Sequence, residues 1–278
     1  MIKLTDSHTH ILPTDDPNYQ EILENLKQNN IKRIIINGYN DKTNKEILEL
    51  VSKYENVYGA LGFHPDNINE LTEDSLAFIE KNLNNPKIIA IGEIGLDYYH
   101  NKENKEDQIK LLEKFLELST KTNKPVIIHN REATGDLITT LKKYKTKGII
   151  HCFNGSKETA NIFLKLGYKL GIGGVITFKN CKLKEEIKDL SPDSFFLETD
   201  APYLTPEPYR GKPNEPKYMI YTLRTLSEAL NIICAHLGLP FIISAAYIRP
   251  LLHLSSFGLS ICVGSPQITS LVPFPTLV

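Results

Sequence analysis

Residues 88–129, IIAIGEIGLDYYHNKENKEDQIKLLEKFLELSTKTNKPVIIH, decide the fold. An isoleucine-rich run, Ile88 to Ile94, gives way to an amphipathic stretch, Lys105 to Thr122, in which Ile109, Leu112, Leu116 and Ser119 fall on one face. That stretch leads into a second apolar run, Pro125 to His129. Spacings of three and four residues are the period of a helix, whereas a short run that is apolar throughout suits a strand buried on both faces. Strand, helix, strand within about forty residues is the unit of a parallel sheet.

The same alternation recurs outward in both directions. Upstream lie Ile2 to Thr5, Ile31 to Asn37 and Val57 to Phe63; downstream lie Gly148 to Phe153, Tyr168 to Phe178 and Phe195 to Thr199. Helical patterns include Lys157 to Leu166 and a last one with Met219, Leu223, Leu226 and Leu230 in register. Eight alternations in about 230 residues, without Gly/Ser-rich linkers, predict an α/β protein with a single closed eight-stranded parallel (β/α) TIM barrel rather than an open doubly wound sheet. The GIGG at Gly171 reads as close packing in the barrel wall. In such a barrel the chemistry belongs at the carboxyl ends of the strands.

The 278 residues carry 32 Lys+Arg against 33 Asp+Glu, a net charge of -1, which excludes a polybasic protein that coats long duplex nucleic acid. Any nucleic-acid contact must involve a few phosphates at a pocket. Four scattered cysteines (Cys152, Cys181, Cys234, Cys262) without a CxxC pair make neither a disulfide framework nor a structural zinc knot. MIKLTDSHTH lacks the basic stretch and apolar run of a secretory signal, so a reducing, cytoplasmic location is expected. No GxxxxGK[ST] or GxGxxG supports nucleoside-triphosphate or dinucleotide binding.

Composition divides the chain. All 27 lysines and 22 asparagines lie at or before Asn231, the last acid is Glu228, and Arg249 is the only formal charge after it. Residues 1–231 are therefore expected to form the barrel. Residues 232–278 are read as an atypical apolar tail, frameshifted or disordered, since a shifted reading frame in a Lys/Asn-rich coding sequence would erase both signatures at once. Ile232 to Ile248 is mostly apolar, but His236, Gly238 and Pro240 interrupt it and it is at the short limit for a bilayer, so no membrane association is expected.

Polar residues that end the apolar runs are the candidates for chemistry. His8 and His10 leave the first strand two apart and so share a face, although HxH alone is weak evidence. Glu93 ends the fourth run, His129 the fifth, His151 the sixth and Asp200 the eighth. Imidazole and carboxylate converging on one rim suit zinc, manganese or iron(II) better than calcium. Six ligands exceed one zinc site, but two ions would absorb them if a carboxylate bridged; Glu93, between the histidine groups in chain order, is the natural bridge.

The motifs DSHTH at Asp6, LGFHP at Leu61, GEIGLDY at Gly92, VIIHNR at Val126, HCFNG at His151 and LETDAPYLTPEPYRGKPNEP at Leu197 are similar to those of the TatD-type metal-dependent hydrolases, a branch of the amidohydrolase superfamily. The likeness covers about residues 1 to 231. It implies a barrel hydrolase with two divalent ions, expected to be zinc, magnesium or manganese. His8, His10 and Asp200 would surround the first ion, His129 and His151 the second, and Glu93 would bridge them. The family is associated with deoxyribonuclease activity, chiefly at strand ends, and some relatives hydrolyse the ester of D-aminoacyl-tRNA.

Other positions leave alternatives open. Arg131 offers a planar fork for phosphate or an ion pair with Glu132. His64 could bind a phosphate oxygen, act as acid for the leaving group, or brace its loop. Asp97 and Glu198 could orient ligand histidines or make structural pairs. Arg210 and Asn214, in a proline-rich loop, either wall the substrate pocket or connect elements. The expectation is a dinuclear exodeoxyribonuclease acting on a few nucleotides at DNA strand ends, with a metal-activated hydroxide as nucleophile and Asp200, Glu93 and His64 as catalytic groups. Arg131, His64, Arg210 and Asn214 are the expected substrate residues. A deacylase on D-aminoacyl-tRNA and a non-catalytic barrel crippled by its tail are the alternatives. The oligomeric state is open, with a monomer as the working expectation.

Overall fold

Ten consecutive residues, Ile88–Asp97, form the longest strand, β4, and every one is buried. It belongs to one parallel sheet in chain order with β1 (Leu4–Thr9), β2 (Ile31–Asn37), β3 (Val57–Leu61), β5 (Val126–Arg131), β6 (Gly148–Ile150), β7 (Tyr168–Ile172) and β8 (Phe195–Leu197). The computed structural model describes residues 3–232. Beyond β8 the chain returns to β1: the Asp200 N–H donates to the His8 carbonyl at 3.0 Å and the His10 N–H to that of Ala201 at 2.6 Å. The Ser7 hydroxyl adds a bond to the Leu197 carbonyl at 2.9 Å. These bonds bring the last strand to the first, giving the expected barrel.

Helices α1 (Tyr19–Glu24), α2 (Asp41–Lys53), α3 (Glu73–Asn82), α4 (Lys105–Thr122), α5 (Thr134–Leu141), α6 (Lys157–Lys165), α7 (Leu183–Ile187) and α8 (Met219–Ala229) alternate with the strands. Caps set several starts: Asn40 and Thr72 make capping boxes with Thr43 and Ser75, and Ser156 accepts from the Thr159 N–H. Helix α4 has the sequence-predicted bounds and ends on Asn123 at φ 53, a left-handed conformation that suits asparagine. Its buried face is wider than the expected stripe: Leu111, Leu112, Phe115, Leu116 and Ser119 are buried, whereas Ile109 only borders the core. A helix on a sheet covers a broad arc, so the residues beside the expected seam are buried too.

Strand ends differ from the apolar runs. β1 continues through Asp6, Ser7, His8 and Thr9, whose side chains find partners on Leu197, Thr199 and Ala201 or, for His8, on His10. β7 stops at Ile172 and a 3-10 turn, Gly174–Thr177, follows. Expectations for the tail, from the compositional break to the span at Ile232 to Ile248, lie outside the described residues beyond Ile232. Among the described residues no helix is long and apolar enough to cross a membrane, and Cys152 and Cys181 are free thiols.

Candidate metal centre

His8 lies in β1 and His10 just past it, Glu93 lies in β4, His129 in β5, His151 follows β6, and Asp200 lies three residues beyond β8. The carboxyl ends of five strands thus bring all six expected ligands to one rim. Asp200 has φ 59, a left-handed backbone that aspartate tolerates better than most residues. Its turn is held by its own N–H on the His8 carbonyl and by the Tyr203 N–H, which donates to the Asp200 carbonyl at 2.8 Å.

The two carboxylate oxygens of Glu93 face different histidines. Oε2 is 3.4 Å from His8 Nε2 and 3.3 Å from His10 Nε2, while Asp200 Oδ1 is 3.5 and 3.6 Å from the same nitrogens. His8 Nε2 and His10 Nε2 are 3.1 Å apart. A tetrahedron with arms of 2.0–2.1 Å has edges of about 3.3 to 3.4 Å, so these four atoms fit one zinc-sized ion. Oε1 faces the other way, 3.0 Å from His129 Nδ1 and 3.9 Å from both His151 Nε2 and His64 Nε2. His151 Nε2 is also 3.8 Å from Asp200 Oδ1, and its ring stacks on His8 with centroids 3.5 Å apart. It therefore stands between the two halves, and His64 groups with Glu93 and His129.

Behind the ligands, polar groups fix the rings. His10 Nδ1 meets the Asn37 carbonyl at 3.0 Å, which leaves Nε2 as a lone pair when Nδ1 carries the proton. His129 Nε2 lies 3.0 Å from Asp97 Oδ2, and His151 Nδ1 lies 3.0 Å from Glu198 Oε1. Glu198 also accepts the Cys152 N–H at 2.7 Å. Gly171 makes room for it, since a Cβ there would come 2.2 Å from Glu198 Oε2.

Burial opposes charge in this cluster, but proximity outweighs it. Desolvation disfavours imidazolium at His8, yet Glu93 and Asp200 beside it hold its pKa well above the ordinary histidine value. Against the same desolvation, Asp97 and Glu93 raise that of His129 to about 9. Glu93 is held well below the usual carboxylate range, burial being overcome by His8, His10 and His129, and Asp200 is lowered similarly by His151 and His8. The metal-free site retains protons where cations fit. His64 behaves oppositely: burial, and then the neighbouring His129, bring its pKa down to about 3. Its Nδ1 accepts the Asp66 N–H at 3.2 Å, so the neutral ring carries its proton on Nε2, toward Glu93.

A cleft of about 420 Å³ opens over the ligands and includes His64, Arg131 and Tyr203. The Arg131 guanidinium stacks 4.0 Å from the Tyr99 ring and makes no ion pair among the described residues; Glu132 pairs with Lys102 instead. Stacking leaves its edge donors directed outward. Arg210 and Asn214 both lie in the loop that follows β8. Arg210 donates to the Thr205 carbonyl at 3.1 Å and stacks on Phe178. Asn214 is fully buried; its amide donates to the Thr199 and Tyr203 carbonyls at 2.8 and 2.7 Å and accepts the Glu215 N–H. Both brace the loop that carries Asp200, and Asn214, being fully buried, does so in place of meeting substrate.

Sequence reasoning assigned no role to Asp6, Asp66 or His100. Asp6 is fully buried, and its carboxylate accepts the Thr199 N–H at 3.0 Å and hydroxyl at 2.5 Å. Its signal was present, in DSHTH two residues before His8; Asp66 and His100 follow His64 and Asp97 closely in the same way.

Residues 5–237 match the family model described as TatD related DNase. YabD of Bacillus subtilis, described as an uncharacterized metal-dependent hydrolase, is 39% identical over 81% of this chain and 90% of its own. The crystal structure of YjjV, a TatD homolog from Escherichia coli, superposes with a TM-score of 0.76 at 32% identity, covering 81% of this chain and 90% of that one. A TatD family hydrolase from Entamoeba histolytica gives 0.72 at 25% identity, over 84% and 93%. With its family motifs on one rim of a parallel barrel, this chain is a metal-dependent hydrolase and belongs to the TatD-related DNase family.

Proposed function

We propose that the enzyme hydrolyses phosphodiester bonds at DNA strand ends and holds two divalent ions, zinc, magnesium or manganese. His8, His10, Asp200 and Glu93 Oε2 would hold one; His129, His151 and Glu93 Oε1 would hold the other. The observation that carries the reading is the division of Glu93's oxygens between two histidine groups, beside an arginine that no carboxylate among the described residues occupies. Such ions, when bound, supply Lewis acidity and lower the pKa of water toward neutrality.

The chain's own groups do the rest. Asp200, ionised and at the cleft, accepts the proton of the attacking water. The Arg131 fork binds a non-bridging phosphate oxygen and stabilises charge that grows on phosphorus substituents. His64 is neutral, so it donates a hydrogen bond from Nε2 to the leaving oxygen rather than acting as imidazolium. A net charge of -1 favours contact with a few phosphates over tracking along duplex.

The test compares metal-loaded protein on a single-stranded oligonucleotide labelled at either end with the same protein on a D-aminoacyl-tRNA ester. Stepwise release of mononucleotides supports the reading. Turnover of the ester with intact DNA would replace it with the deacylase alternative, and turnover of neither would leave only the family-level activity.

A further inference from the structure

We propose that the cleft rim carries a further divalent-cation site formed by His64, Asp66, Asp97 and His100. It is separate from the ligand sets around Glu93 and independent of which ester the enzyme cleaves.

The four residues come from two short segments, one after β3 and one at the end of β4. Asp66 Oδ2 lies 3.6 Å from His64 Nδ1 and 3.5 Å from His100 Nδ1, and His100 Nδ1 lies 3.0 Å from Asp97 Oδ2. The two separations from Asp66 fall in the 3.1 to 3.6 Å range found among His8, His10, Glu93 and Asp200, and the 3.0 Å contact is a hydrogen bond that an ion would replace. Separations in that range are what nitrogen and oxygen ligands about 2.0 to 2.2 Å from a shared ion require. His64, Asp66 and Asp97 already bring three ligand atoms within reach of one ion.

Hydrogen bonding accounts for Asp97 but not for Asp66. Asp97 Oδ1 accepts the Tyr99 and His100 N–H groups, each at 2.9 Å, and Oδ2 meets the His129 and His100 rings. Among the described residues no donor reaches the Asp66 carboxylate within hydrogen-bond geometry. Its nearest partners are two imidazole nitrogens, too distant for good hydrogen bonds and well placed to share an ion. His64 Nδ1 is an acceptor, held weakly by the Asp66 N–H at 3.2 Å.

Two imidazoles with two carboxylates suit zinc, cobalt(II) or manganese better than calcium. Binding uses the Nδ1 lone pair of a neutral His100 ring whose proton sits on Nε2, and Asp97 Oδ2 exchanges its contact with that ring for the cation. His64 keeps its Nε2 proton facing Glu93. Because the His100 side chain is 49% exposed, this ion exchanges more readily than those held by the buried histidines and keeps open positions for oxygen ligands.

The test is equilibrium dialysis of the full chain against zinc, with bound metal counted by elemental analysis, for the unmutated protein, Asp66→Asn and His100→Asn. Each variant should bind one ion fewer at saturation, or bind the weakest ion at least tenfold less tightly, and keep the tighter ions. Equal stoichiometry and affinity in all three proteins would overturn the site. The count is differential, so a single tight ion in the unmutated protein would refute the dinuclear reading without touching this one. Melting in chelator shows whether either variant is misfolded; both side chains are partly exposed, and each variant serves as a check on the other.

Discussion

The Nε2 atoms of His8 and His10 face each other across 3.1 Å, while Nδ1 of His10 is committed to the Asn37 carbonyl. Two unprotonated nitrogens this close in a buried place repel, and a shared proton or a cation between them removes the conflict. We therefore expect about two ions per chain to survive dialysis against metal-free buffer. His8→Ala or His10→Ala should lose one of them, and Glu93→Ala should disturb both. Elemental analysis that finds at most one tightly held ion in the unmutated protein would end the dinuclear reading.

The protons that stand in for those ions make metal uptake pH-dependent. His129 has a pKa of about 9 and His8 is raised well above its ordinary value, so both are largely protonated in the metal-free protein at neutral pH. A ligating imidazole must give up that proton. Metal binding near pH 7.5 is thus expected to release roughly two protons, fewer as pH rises past about 9, with apparent affinity increasing over the same interval. Calorimetry in buffers of different ionisation enthalpy measures the number; no proton release at pH 7.5 would mean that both histidines are already neutral.

The barrel was legible because buried strands and amphipathic helices write their periods into short windows, and Ile88 to Thr122 shows both. The six candidate ligands were legible because each interrupts an apolar run on the same rim. What stayed hidden depends on pairs distant in the chain. Thr199 meets Asp6 across 193 residues, and Asn214 reaches back to the Thr199 carbonyl. Position in a proline-rich loop cannot tell a buried amide that holds carbonyls from an exposed one that meets substrate. Asp97 and Glu198 were readable as residue types but not as partners of particular imidazole nitrogens, because ring orientation is set by packing.

Arg131 tests how the substrate is held. Its guanidinium rests on Tyr99 and no acid among the described residues pairs with it, so Arg131→Ala should leave the fold and bound metal intact. It should raise KM for oligonucleotides about tenfold, the scale of one charge-assisted contact, with a smaller effect on kcat. Arg131→Lys should recover part of the loss, since the charge remains but the planar fork does not. Steady-state kinetics at two salt concentrations supplies the measurement, and an unchanged KM would remove Arg131 from the substrate site.

Asp6 predicts a pH dependence of stability in the metal-free protein. Burial pushes its carboxyl up to about 7, against the hydrogen bonds from Thr199 that favour the charged form. In the unfolded chain an aspartate ionises near 3.9, so between about pH 4 and 7 the folded state holds a proton that the unfolded state has lost. Stability from this group is full below about 4 and declines as pH rises through 7, by a few kcal/mol in all. Asp6→Asn keeps the shape and removes the titration. Its amide oxygen can still accept the His8 and Thr199 N–H groups, and its NH2 can donate to the Thr199 hydroxyl. Measured in chelator from pH 4 to 8, the melting temperature of the variant minus that of the unmutated protein should become more positive with rising pH and level off above about 7. A difference that stays constant across that range would show that Asp6 ionises normally in the fold, with its bonds to Thr199 fully offsetting burial.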